Sequence, residues 1–93
     1  MSLQTEFDFM LPHGYVDAEG NVHKKGVMRL ATANDEIAPM KDPRVKPNPG
    51  HLAIILLSRV IRRLGDLPPA NPRVIEEMFA ADFAFLEEMY RRI

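Results

Sequence analysis

The chain has no cysteine. That removes a disulfide framework, a thiolate metal site and a cysteine nucleophile, and it fits a reducing compartment. Hydroxyl side chains of the Ser/Thr type are scarce: Ser2, Thr5, Thr32 and Ser58. None stands in a Gly-x-Ser-x-Gly elbow. Ser58 falls inside an apolar stretch, where bonding back to the preceding helical turn is the usual fate. The five glycines are isolated turn residues, so no phosphate-cradling loop exists. Charge of one sign is lacking too: 12 Lys+Arg against 13 Asp+Glu give a formal net charge of −1. A chain built to coat nucleic acid is basic, and this one is not. The longest apolar run is Leu52 to Leu57, far short of the ~20 residues of a membrane span, and no secretory signal is visible at the N-terminus.

What is present is an ordinary globular composition, 46% hydrophobic and 27% charged over 93 residues, enough for one domain over 1–93. Residues 5–32 read as β-rich. Phe7, Phe9 and Leu11 alternate with Glu6, Asp8 and Met10, the period of a half-buried strand. Pro12-His13-Gly14 then breaks the pattern. Asp17 to Asn21 suits a hairpin with a type I turn and a glycine bulge at Gly20. Lys24-Lys25-Gly26 reads as another break, and Val27 to Ala31 as a further strand. These pieces predict an antiparallel sheet of three or four strands.

Residues 33–50 read as a short helix and a connector. Thr32 is placed to cap the helix, with Asp35 at the third helical position. Pro39, Pro43, Pro47 and Pro49 remove a donor every few residues, which forbids a helix or a central strand. Residues 51–93 read as two helices. The first spans His51 to Leu64, apolar nearly all round in its first two turns, with Gly65 as its stop. The second starts at Asn71-Pro72 after the link Asp66 to Ala70 and runs to about Arg92. So short a link predicts an antiparallel helical hairpin on the sheet. The fold class expected is α+β: an N-terminal antiparallel sheet, a Pro-rich connector and a C-terminal helical hairpin.

Candidate chemistry is thin. His13, His23 and His51 lack the spacing of a zinc site. Asp17-Ala18-Glu19-Gly20-Asn21 resembles the opening of a calcium loop, but the glycine comes one place early and Met28 replaces the bidentate Glu. Glu76-Glu77 and Glu87-Glu88 read as a solvated helix face. Asp82 is the polar anomaly, lying in or beside the stripe of Ile75, Met78, Phe79, Leu86 and Met89. A buried carboxylate is costly unless paired, and Arg59, Arg62 or Arg63 is the expected partner, with partner-protein binding as the alternative role. Lys24-Lys25, the three arginines and Arg91-Arg92 lack an aromatic platform for nucleic acid. No catalytic, cofactor or metal set can be assembled.

What stands out concerns association. Met78, Phe83, Phe85, Met89 and Tyr90 cover more than one face of the last helix, with Phe85 away from the Phe79/Phe83 side. Either the connector wraps over the spare face or a partner protein does. The candidate partner-binding residues are Met78, Asp82, Phe85, Met89 and Tyr90.

One likeness extends from about Thr5 to Ile93. Phe7 to Asp17 with Gly20, His23 and Gly26, then Met28-Arg29-Leu30-Ala31-Thr32 with Asp35-Glu36-Ile37, is the first part of it. Ile54 to Ile61, Leu64-Gly65 and Phe79 to Leu86 continue it. This pattern resembles small phage tail assembly proteins encoded among contractile-tail genes. More distantly, it is similar to the Mu-like tail assembly chaperone family. The resemblance implies a non-enzymatic protein of the bacterial cytoplasm that binds the tail tape-measure protein and keeps it soluble until the tube forms. It brings no catalytic residue and no cofactor, and it leaves self-association open. Two other readings compete: a component retained in the finished tail, and a small regulator binding nucleic acid through Arg59, Arg62 and Arg63.

Overall fold

The computed structural model describes residues 3–68 and 71–93. The α+β class is observed. β1 (Glu6–Val16) and β2 (Val22–Arg29) form a long antiparallel hairpin. α1 (Ala33–Ile37) follows, then a 3-10 turn (Ala38–Lys41), α2 (His51–Val60), β3 (Ile61–Leu64), α3 (Pro72–Glu77) and α4 (Ala80–Arg92). The sheet order is β1-β2-β3, with both pairings antiparallel.

The hairpin turn forms as the sequence requires. Gly20 takes a φ of 86°, a conformation open to glycine. Asp17 Oδ1 accepts from the N–H groups of Glu19 and Asn21, both at 2.9 Å. The carboxylate of the calcium-like motif therefore holds a turn.

Lys24-Lys25-Gly26 is no break: β2 runs straight through it. Gly26 is needed because Phe9, its partner across the strands, lays its ring over the glycine. A Cβ there would lie 2.4 Å from Phe9 Cζ and 2.4 Å from the Arg63 carbonyl. Pro12-His13-Gly14 likewise does not end β1. Leu11 to Gly14 stand opposite the single residue Lys24 as a wide bulge, and β1 resumes at Tyr15.

The third strand comes from an unexpected place. Periodicity predicts helix over His51 to Leu64, yet α2 stops at Val60 and Ile61 turns extended, φ −81° and ψ 111°. Leu64 then pairs with Gly26 and Arg63 with Val27. Ile61 and Leu64 point inward and Arg62 and Arg63 outward. Docking against β2 buries both apolar side chains, and that outweighs the weak preference of Val60-Ile61 for helix.

The single helix expected over residues 72–92 is also divided. Asn71 caps α3 through the Arg73 N–H, and Pro72 opens it as expected. Met78 and Phe79 are then extended before α4 begins. The expected pair of helices is thus three, α2, α3 and α4. Of the link Asp66 to Ala70, residues 69 and 70 lie outside the described residues.

The proline-rich connector is a chain of turns. Asp42, Val45, Asn48 and His51 each donate their N–H to the carbonyl three residues back. Pro43, Pro47 and Pro49 fall at the positions between, whose donors the turns do not use. Arg44 clamps Asp42 with two guanidinium bonds of 3.0 and 2.9 Å and holds its carboxyl down to about 2.

One core joins these elements. It contains Phe9, Leu11, Tyr15 and Met28 from the hairpin, Leu57 and Val60 from α2, Ile61 and Leu64 from β3, and Ile75, Met78 and Leu86 from the last helices.

Candidate functional site

Asp82 is completely buried, at 0% exposure. Its partner is no arginine. Oδ1 accepts the backbone N–H of His13 at 2.9 Å, and Oδ2 that of Gly14 at 3.0 Å. The β1 bulge turns both donors inward, and Gly14 permits this with φ 98°. Asp82 also occupies the third position of α4, where the helix dipole favours negative charge. The helix break at Met78-Phe79 creates this N-terminus beneath the bulge. Asp82 is accordingly a clamp between α4 and β1.

The arginine expected to meet Asp82 is occupied elsewhere. Asp35 of α1, 2% exposed, receives Arg29 NH1 at 2.6 Å and NH2 at 3.0 Å, and Arg59 Nε at 3.1 Å. Its Oδ2 also accepts the Thr32 N–H at 2.7 Å, completing the capping box expected of Thr32 and Asp35. The Arg29 bond, the largest effect, together with Thr32 and Arg59 holds the Asp35 carboxyl well below the usual range despite its burial. This knot fastens β2, α1 and α2 together.

The three-arginine face does not form. Arg59 ends α2 against Asp35, while Arg62 and Arg63 lie on β3. Arg62 pairs with Glu6 at 3.1 Å on the surface. The histidines are equally scattered. His13 stacks edge-on against Phe79, and His23 Nε2 bonds Asp17 Oδ2 at 2.8 Å. His51 Nε2 lies 3.0 Å from Glu76 Oε1 without the alignment of a hydrogen bond. Among the described residues no three metal-ligating side chains come together. Ser58 Oγ donates back to the Ile55 carbonyl at 2.7 Å, as expected of a helix hydroxyl. No described helix is long and apolar enough to cross a membrane.

The five candidate partner-binding residues separate. Met78 and Asp82 are inside and present no surface. Phe85 and Met89 are half-buried and pack on the edge of the core. The extended break at residues 78 and 79 rotates α4 relative to an uninterrupted helix, which is why Phe85 turns toward the core. Tyr90 alone among the five lines an open apolar groove. Its walls are Ala53, Leu56 and Leu57 of α2 and Glu87, Tyr90 and Arg91 of α4, enclosing about 210 Å³. Tyr90 Oη donates to Glu36 Oε2 of α1 at 2.5 Å. Burial, then Glu36, pushes the phenol up to about 12.

α2 supplies the groove's apolar character. Leu52 to Leu57 are six consecutive apolar residues covering the whole circumference of the helix, yet only Ile55 and Leu57 are buried. Leu52, Ala53, Ile54 and Leu56 stay half-exposed. The sequence reading assigned the spare apolar face to the last helix; the all-round run in α2 was the signal for this one.

Comparison with protein-family models, with curated proteins and with solved structures finds no match to the chain.

Proposed function

We propose that this chain is a non-enzymatic assembly protein of a phage or phage-derived contractile tail, an adaptor that shields helical segments of the tape-measure protein in the host cytoplasm. The observation that carries the reading is the half-exposed apolar surface of α2 beside the α2/α4 groove. A groove of about 210 Å³ is smaller than the ~300–1,000 Å³ of pockets that enclose a small molecule. It accepts side chains presented by another polypeptide. The likeness of the chain to small contractile-tail assembly proteins supplies the identity of that polypeptide. The buried polar groups favour the same reading, because Asp35 and Asp82 are engaged in joining elements of the fold.

Co-expression with the neighbouring tail genes tests it. The tape-measure protein is expected to co-purify with the tagged chain, and the chain is expected to be absent from finished tails. Recovery of no tail protein overturns the proposal. Fixed stoichiometry in purified tails makes the chain a structural component instead.

A further inference from the structure

The α2/α4 groove carries an unmatched charge. Glu87 lines it and is half-buried, and it has no ion-pair partner among the described residues. Its neighbours on α4 differ: Glu88 meets Arg91 at 3.4 Å and Arg92 at 3.5 Å. On α3, Glu77 lies 3.6 Å from Arg73. A carboxylate beside an apolar floor loses hydration when that floor is covered, so whatever covers it must return a positive charge.

The shape names the kind of cover. Each wall is one helical turn, with Ala53 and Leu56 three apart and Glu87, Tyr90 and Arg91 at three- and four-residue steps. The floor is the buried Leu57. Ala53 leaves one wall low, which lets a third helix lie close. Such a groove receives the i, i+3, i+4 anchors of an amphipathic helix.

We propose that the groove binds an amphipathic helix whose apolar stripe is bordered by Lys or Arg, the stripe covering Leu56 and Tyr90 and the cation pairing with Glu87. This deepens the function proposed above and rests on it only for the protein that supplies the helix. Cationic bordering is a selection rule: a helix with acidic borders sets like charges together over a partly dry site.

Two labelled synthetic helices of about 18 residues, five turns each, are the test. They share one Leu/Ala stripe and differ in having Lys or Glu along its borders. Fluorescence anisotropy with the full chain is expected to show the Lys-bordered peptide binding at least about tenfold more tightly, the discrimination of a like-charge clash. Glu87→Lys is expected to reverse the preference, and its unchanged circular dichroism shows that the fold is kept. Leu56→Ser is expected to weaken both peptides. Equal binding of the two peptides, binding of neither, or a preference unmoved by Glu87→Lys overturns the proposal. Dimerisation of the chain through this groove, seen by sedimentation and lost in Glu87→Lys, overturns it in favour of a second copy as the occupant. Peptide selection without tape-measure co-purification leaves the groove assignment standing and removes the tail reading. Co-purification without selection does the reverse.

Discussion

Replacing Asp82 by alanine strands two backbone donors. The Gly14 N–H is buried and has no other acceptor within reach, so it bears the full penalty of an unmade hydrogen bond. The His13 N–H is part-buried, and water relieves some of its loss. At about 1–3 kcal/mol for each orphaned group, the two together come to about 3 kcal/mol. For a domain of this size each kcal/mol moves the melting point by about 4–8 °C, so Asp82→Ala is expected to melt about 12–24 °C lower. Urea unfolding followed by circular dichroism measures the free energy directly, with an unchanged dependence on denaturant. Asp82→Asn retains one accepting oxygen and is expected to fall between. Amide exchange at His13 and Gly14 is expected to quicken in both variants. Asp8→Ala, on the exposed face of β1, is the control and should stay within about 0.5 kcal/mol of wild type. A loss below about 1 kcal/mol for Asp82→Ala would refute the clamp, since surface substitutions cost no more than that.

Two further predictions concern the knot and the sheet. Asp35 has a folded-state value lowered from 3.8, so its contribution to stability is complete above that value and is lost as pH falls below it. Arg29→Lys removes the two-pronged contact and is expected to cost about 1.5–3 kcal/mol at neutral pH, with a shallower loss of stability on acidification, read from urea midpoints across the acid range. Gly26→Ala forces a Cβ against Phe9 and the Arg63 carbonyl, and thermal melting is expected to show about 1–3 kcal/mol of destabilisation.

Local chemistry in the sequence foretold much of this fold. The capping box at Thr32 and Asp35, the Gly20 turn, the Asn71-Pro72 helix start and the strand alternation of Phe9 and Leu11 all depend on neighbours close in the chain, and each is found. The misread boundaries depend on distant partners. Ile61 to Leu64 carries apolar residues three apart, a spacing that suits a helix, and only pairing with Gly26 and Val27 makes it a strand. Nothing like glycine or proline marks the break at Met78-Phe79. What decides it is the pair of inward N–H groups in the β1 bulge, which Asp82 meets only from a new helix start. Gly26 looked like punctuation because a ring packed over a glycine leaves no local trace. The groove was legible only in part. The Leu52 to Leu57 run announces a helix that one side of packing cannot cover, but which residues of α4 face it depends on that same unmarked break.

The most direct test of the groove as the receiving surface is to record the amide spectrum of the isotope-labelled chain while adding the tape-measure fragment that co-purifies with it. Ala53, Leu56, Glu87, Tyr90 and Arg91 are expected to shift, while Asp8, Lys25 and Arg63 on the exposed face of the sheet stay in place. Shifts gathered on that face, with the α2 and α4 signals unmoved, would contradict the account.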